Sequence, residues 1–368
     1  MRKNTYWIIS ILSILAFSTS VILFLWKQTL WDFDKPIKAE TWGYYGGFVG
    51  GILSIVSIIL LIRTLQEQRR SSKSAQLNDI FWGLLAHLQR EVADLNTTAE
   101  GGQYTNKDFF EELLRELQMK FSPGKKGTNS GSAVLAYFNL YAEYPRLAPY
   151  FRQLYRICEV IDKSELTGIE KAQYIKILRA QLTGSELLLL RYNAQTPHGK
   201  NFTHYINEYN LLKHLPTFEL LEFKSWWGNM ANNYTERLKV SVFVDTLRHR
   251  IKELLREAKS TTDFTHWGWK CTITREDDKK IDIQIKKVSK QWTNAFSTLT
   301  PTQRIQLLQC ILIEIFCNSN FGIKCPQKNL IINPVEGSDK NSIHCTIEAQ
   351  ESQTLYQSFQ RLSQINHP

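Results

Sequence analysis

Catalytic signatures are what this sequence lacks first. Across 368 residues there is no nucleophile elbow, metalloprotease helix, dinucleotide fingerprint or paired-carboxylate arrangement. The segment 122–132, S-P-G-K-K-G-T-N-S-G-S, misses the Gly-Lys-Ser/Thr ending of a phosphate loop and follows no strand, so it reads as a surface loop. No enzymatic activity and no cofactor are expected. The cysteines (Cys158, Cys271, Cys310, Cys317, Cys325 and Cys345) contain no C-x-x-C pair. In the cytosol they would be reduced thiols, most of them small apolar fillers. Neither His266 with Cys271 nor the steps between Cys310, Cys317 and Cys325 match a zinc spacing, so no metal is expected.

Charged side chains are absent from two stretches, and these give the chain its plan. Residues 42–62 run W-G-Y-Y-G-G-F-V-G-G-I-L-S-I-V-S-I-I-L-L-I. At about 1.5 Å per residue they are long enough to cross a hydrocarbon core of about 30 Å. Gly43, Gly47 and Gly51 recur every fourth residue, Gly46 and Gly50 repeat the spacing one step out of phase, and Ser54 and Ser57 continue the small side. Such a face lets another helix approach closely, either a neighbour in the same chain or a second copy. Residues 7–26 form the other uncharged run, with twelve Leu, Ile, Val or Phe and a Trp at each end. It is longer than the apolar core of a secretory signal and has no small-x-small cleavage site, so it reads as a retained anchor.

Lys and Arg set the orientation. Arg2 and Lys3 precede the first run and Arg63, Arg69, Arg70 and Lys73 follow the second, while Asp32, Asp34 and Glu40 accompany the three lysines of the linker. The expectation is a multi-pass hairpin with both termini in the cytoplasm. Residues 1–62 hold five Lys/Arg and three Asp/Glu of the chain's 45 and 35, so the rest carries 40 against 32, a basic but mixed surface.

Downstream the periodicity is helical. Leu77, Ile80, Phe81, Leu84, Leu85, Leu88, Val92 and Leu95 form one stripe, a glycine-rich turn follows at 98–104, and 107–121 is a short amphipathic helix. Helical patterns punctuated by Pro145, Pro149, Pro197 and Pro216 continue to about residue 259. From 235 to 259, Val240, Phe243, Leu247, Ile251 and Leu254 share one side and cations the other; Trp226-Trp227 reads as a core pair. From about His266 the period changes to two: a hairpin around Asp277-Asp278-Lys279-Lys280, a helix at 302–316, strands near 330–332 and 342–348, and a closing helix at 354–365.

The predicted fold is therefore a mainly α membrane protein. Residues 1–63 form a transmembrane hairpin, 64–260 a cytoplasmic helical domain and 261–368 a small C-terminal α+β module. Within the helical domain Arg156, Arg179, Gln181, Glu186, Asn193 and Lys200 lie among strongly apolar neighbours. Charged groups there must pair or reach water. They form either a buried polar network that docks the helices or a ligand pocket.

The G-G-F-V-G-G-I-L-S-I-V-S-I-I-L-L-I-R-T-L-Q-E-Q segment, followed by L-R-A-Q-L-T-G-S-E-L-L-L-L-R-Y-N, then G-K-N-F and Y-N-L-L-K, resembles the phage abortive infection proteins of the AbiC-like group over roughly residues 5–215. The resemblance implies a two-span bacterial inner-membrane protein of antiphage defence, with no active site to carry over. Its expected partners are the lipid bilayer, further copies of itself, and an operon-encoded inhibitor or sensor. Some systems of this kind, including retrons, supply a reverse transcriptase with its RNA–DNA product. The expected function is an effector that permeabilises the inner membrane on infection. The alternatives are a membrane-tethered sensor or scaffold that recruits another toxic factor, or a tethered enzyme acting on nucleic acid or nucleotide.

Overall fold

The computed structural model describes residues 18–19, 21–22, 39–95, 98–99, 102–103, 106–121, 130–227, 234–256, 259–277, 279–289, 299–318, 329–335, 342–350 and 355. Apart from four of its residues, the first expected span (7–26) lies outside them, as do Cys325, most of the 122–132 loop and nearly all of the expected closing helix. The chain divides into two compact units, Met1–Asn78 and Asp79–Pro368.

The first unit is dominated by α1 (Ala39–Asp94), which is helical from the glycine stretch into the polar sequence beyond Arg63. Among the described residues it is the one helix long and apolar enough to cross a membrane, with a mean hydropathy of 2.3 over its most apolar window and none of that window buried. A hairpin of two spans is thus matched here by a single described helix. Within it Ser54 Oγ donates to the Gly50 carbonyl (2.8 Å) and Thr64 Oγ1 to that of Leu60 (2.9 Å). Each hydroxyl is satisfied by the carbonyl four residues earlier in its own helix.

The second unit is mainly helical. Phe81, Leu85 and Leu88 of α1 and Leu95 just past its end are buried, whereas Ile80 is 42% exposed and drops out of the expected stripe. A two-residue hairpin, β1 (Thr98–Ala99) with β2 (Gly102–Gln103), occupies the glycine-rich turn. Then come α2 (Asn106–Lys120), α3 (Ser130–Glu143), α4 (Leu147–Lys163), α5 (Gly168–Gln181), α6 (Gly184–Asn193) and α7 (Phe202–Glu208). In α4 the buried residues Leu147, Tyr150, Phe151, Leu154, Ile157, Cys158 and Ile161 make one apolar stripe. Helix α6 differs: all eight residues from Glu186 to Asn193 are buried, so it runs through the core and every polar group on it needs a protein partner. Three short 3₁₀ turns between Leu211 and Phe223, α8 (Lys224–Trp227) and α9 (Tyr234–Arg256) complete the helical part.

Five antiparallel strands follow in the order β3-β4-β5-β7-β6: β3 (Thr261–His266), β4 (Trp269–Arg275), β5 (Lys280–Lys287), β6 (Leu330–Pro334) and β7 (Ser342–Ala349). Alternate residues, among them Cys271, Ile273, Ile281, Ile283, Ile285, Ile343, Cys345 and Ile347, are buried. α9 packs on β3 and β4, and α10 (Pro301–Ile313) packs on β6 and β7. α10 starts with a Thr300/Gln303 capping box and Pro301 in its first turn, then continues as a π turn, Glu314–Asn318. The wider turn breaks the 3.6 period, and four consecutive residues, Glu314, Ile315, Phe316 and Cys317, are buried. One glutamate is thereby brought into an apolar core.

Candidate functional site

Two features carry chemistry, one in each unit. In the first, Gly43, Gly46, Gly47, Gly50 and Gly51 are exposed, and nothing among the described residues lies within 4 Å of where a Cβ would stand on any of them. Phe48, Leu53, Ile55, Ile58, Ile59, Leu60, Leu61 and Ile62 are exposed beside them. By length and composition a helix carrying such a run is able to cross a membrane.

In the second unit the centre is Arg191 on α6, fully buried. Its Nε and Nη2 donate to Glu314 Oε1 and Oε2 at 3.1 and 2.7 Å, a two-pronged pairing with the π turn. Nη2 also lies 2.9 Å from Glu222 Oε1. With its amide oxygen facing the guanidinium, Gln195 accepts from Nη1 at 2.5 Å. Tyr192 OH donates to Glu222 Oε2 (2.8 Å) and accepts from the Leu221 N–H (2.8 Å). Burial weakens the proton affinity of Arg191, but Glu222 and Glu314 outweigh it and hold the guanidinium above its ordinary pKa. Burial pushes the Glu222 carboxyl up against the opposing pull of Arg191.

A second buried arginine adjoins the cluster. Arg248 on α9 donates through Nη2 and Nη1 to the Leu212 and Leu215 carbonyls at 2.6 and 3.4 Å, so it ends the first 3₁₀ turn. Asp245, one turn earlier, accepts from the Thr217 N–H at 2.9 Å, and burial pushes its carboxyl up to about 6.

The six residues singled out in the sequence fall into two groups. Glu186 and Asn193 are core residues of α6. Glu186 closes a capping box with Thr183, whose N–H donates to Oε2 at 2.6 Å, and accepts from Tyr150 OH at 2.7 Å. Asn193 Oδ1 accepts from Tyr137 OH (3.4 Å), and its carbonyl accepts from Thr196 Oγ1 (2.8 Å). The others lie nearer the surface. Arg156 is exposed and pairs with Glu159 at 2.6 Å. Gln181 accepts from Gln89 at an exposed position (3.3 Å), and Lys200 is exposed. Half-buried Arg179 donates to the Asn210 carbonyl (3.3 Å). The hydrogen bonds of Glu186 and Asn193 join α6 to different neighbours rather than to the other four.

Sequence reasoning missed Arg191, Glu222, Asp245, Arg248 and Glu314. The available signal was a lone charge in an unbroken apolar run: L-L-L-L-R-Y for Arg191 and I-L-I-E-I-F for Glu314. The cluster holds five charged groups, a clamp between α6, the 3₁₀ turns, α9 and the π turn. Among the described residues no group of three or more His, Cys, Asp or Glu could hold a metal ion.

The helices around this clamp are the part of the chain with known counterparts. Residues 142–220 match the family described as putative phage abortive infection protein. The abortive-infection match runs from the end of α3 through α7 and the first two 3₁₀ turns. It includes Arg191, Tyr192 and all six residues discussed above, and stops two residues short of Glu222. The glycine stretch, part of the resemblance read from the sequence, lies outside the matched segment. No curated protein and no solved structure matches the chain.

Proposed function

We propose that the protein is an antiphage effector of abortive infection that acts on the bacterial inner membrane. Membership in defence is supported by the abortive-infection match at 142–220. The membrane step is carried by one observation: α1 combines an exposed apolar surface with an open glycine face. In this reading two uncharged spans, 7–26 and 42–62, form a hairpin with both termini cytoplasmic, and the rest of the chain restrains it. Two apolar spans from one chain cannot line a polar channel, because lipid-facing backbone and side chains offer an ion nothing to bind. Leakage therefore takes several copies, packed through Gly43, Gly47 and Gly51. Infection releases the restraint, either directly or through an operon-encoded partner such as a reverse transcriptase with its RNA–DNA product.

Gly47→Leu tests the step cleanly, since a side chain there meets nothing among the described residues. The variant should remain in the carbonate-resistant membrane fraction, yet lose toxicity, dye entry and depolarisation in infected cells. Undiminished toxicity with normal insertion would refute packing through this face.

A further inference from the structure

The helix that carries the glycines also carries a cationic face, and the two point in different directions. At about 100° per residue, the five glycines and Ser54 fall within one sector of α1, and Arg63, Arg69, Arg70 and Lys73 fall within a sector about 120° wide whose centre lies about 130° away and whose near edge, Arg69, is in line with Gly51. Arg69, Arg70 and Lys73 are exposed and Arg63 is half-buried. Glu67, about 40° outside the sector, is the one acid among residues 63–73, which leaves them a net +3 (four cations, one acid). Arg63 directly follows Ile62, the last residue of the uncharged run; Arg69 and Arg70 come about 9–11 Å further along the axis, and Lys73 about 15 Å. The polar layer outside the hydrocarbon is roughly 5–8 Å deep on each side. Long basic side chains reach back toward it, and the surface field of an anionic leaflet extends about 8 Å beyond.

We propose that this face binds the headgroups of anionic phospholipids in the leaflet from which α1 emerges. The inference rests on the membrane reading above and adds to it a direction. When the glycine face packs against another helix, Arg63, Arg70 and Lys73 turn away from that contact toward the surrounding lipid, while Arg69 stays at its edge. They then hold the polar end of α1 at a fixed depth and select acidic lipid around the assembly. Nucleic acid offers the same phosphate charge, but a cationic sector that starts at the edge of an apolar run favours the membrane surface.

The full chain, reconstituted into nanodiscs of equal phosphatidylglycerol and phosphatidylcholine and then re-extracted in mild detergent, provides the test. Lipid retained by the wild type should be enriched in phosphatidylglycerol. Neutralising all four positions (Arg63→Gln, Arg69→Gln, Arg70→Gln, Lys73→Gln) should lower that preference at least tenfold, with helix content and flotation with vesicles unchanged. Equal lipid ratios in wild type and variant, with both still floating, would overturn the lipid face alone. If the wild type fails to float with vesicles of either lipid, the membrane reading falls, and the lipid face with it. A gel shift with duplex DNA covers the remaining source of phosphate: loss of DNA binding in the quadruple variant without loss of lipid selectivity would also overturn the proposal. Should the variant misfold, Arg69→Gln/Arg70→Gln alone should lower the preference severalfold.

Discussion

A charge buried in a protein core has to be neutralised by a partner or by a proton, and the cluster around Arg191 uses both. Two guanidiniums, Arg191 and Arg248, face three carboxylates, Asp245, Glu222 and Glu314. The carboxylate in excess is accommodated by raised proton affinity at Asp245 and Glu222. For Asp245 the direction of the pH effect follows. Its carboxyl rises from 3.8 to about 6 on folding, so its contribution to stability is fully present below 3.8 and is lost as pH climbs through about 6. At neutral pH the ionised side chain is held at a cost of about 3 kcal/mol. Asp245→Asn keeps an acceptor for the Thr217 N–H and removes that cost. The variant should therefore unfold at a higher temperature than wild type at pH 7.5. The difference should shrink toward pH 5, as thermal melts at several pH values would show; equal melting temperatures across that range would contradict it.

At the scale of elements, local pattern and tertiary demand agree in some places and part in others. The hairpin around Asp277 was legible because Ile281, Ile283 and Ile285 alternate with polar residues, and they do line the buried face. Strand β3, T-T-D-F-T-H, was not: it is an edge strand with Phe264 as its one buried side chain, so it carries almost no period-two signal. Helix α6 was visible as apolar, but its partners come from α4, α3 and the π turn, and periodicity in one segment says nothing about contacts with another. The same limit explains why Glu222 could not be named from sequence, whereas Arg191 and Glu314 each stood out as a lone charge in an apolar run without naming the other as partner. The link between α6 and α7 shows a constraint of a further kind. An added Cβ at Gly199 would stand 2.0 Å from the Asn193 carbonyl oxygen, which already accepts from Thr196. The turn cannot move without breaking that contact. Gly199→Ala should thus destabilise the fold by about 2 kcal/mol or more, read as a lowered denaturation midpoint at unchanged m-value. A midpoint within error of wild type would show that the turn can give way.

At the scale of the whole second unit, the question is whether the helices and the sheet fold separately, as the expected domain boundary after residue 260 predicts, or together. Arg191 and Glu314 stand 123 residues apart in sequence and are joined by two hydrogen bonds in a fully buried pair. The sequence expectation places them in different domains, whereas the compact unit Asp79–Pro368 contains both. A buried ion pair contributes little net stability compared with apolar packing, but removing one partner strands the other at about 3–5 kcal/mol. The two substitutions are not equivalent. Arg191→Met leaves Glu222 and Glu314 without their shared cation; Glu314→Gln leaves Arg191 balanced by Glu222 and retains an acceptor. Arg191→Met should be the more damaging, by a few kcal/mol. Hydrogen exchange tells where the loss is felt. If helices and sheet are one cooperative unit, Arg191→Met should speed exchange at the buried amides of α4 and of β5 and β7 by the same factor, although the substitution lies in neither. If the speeding were confined to α4 and its neighbours while β5 and β7 kept wild-type protection, the clamp would join two parts that fold independently. The abortive-infection segment would then be a domain in its own right.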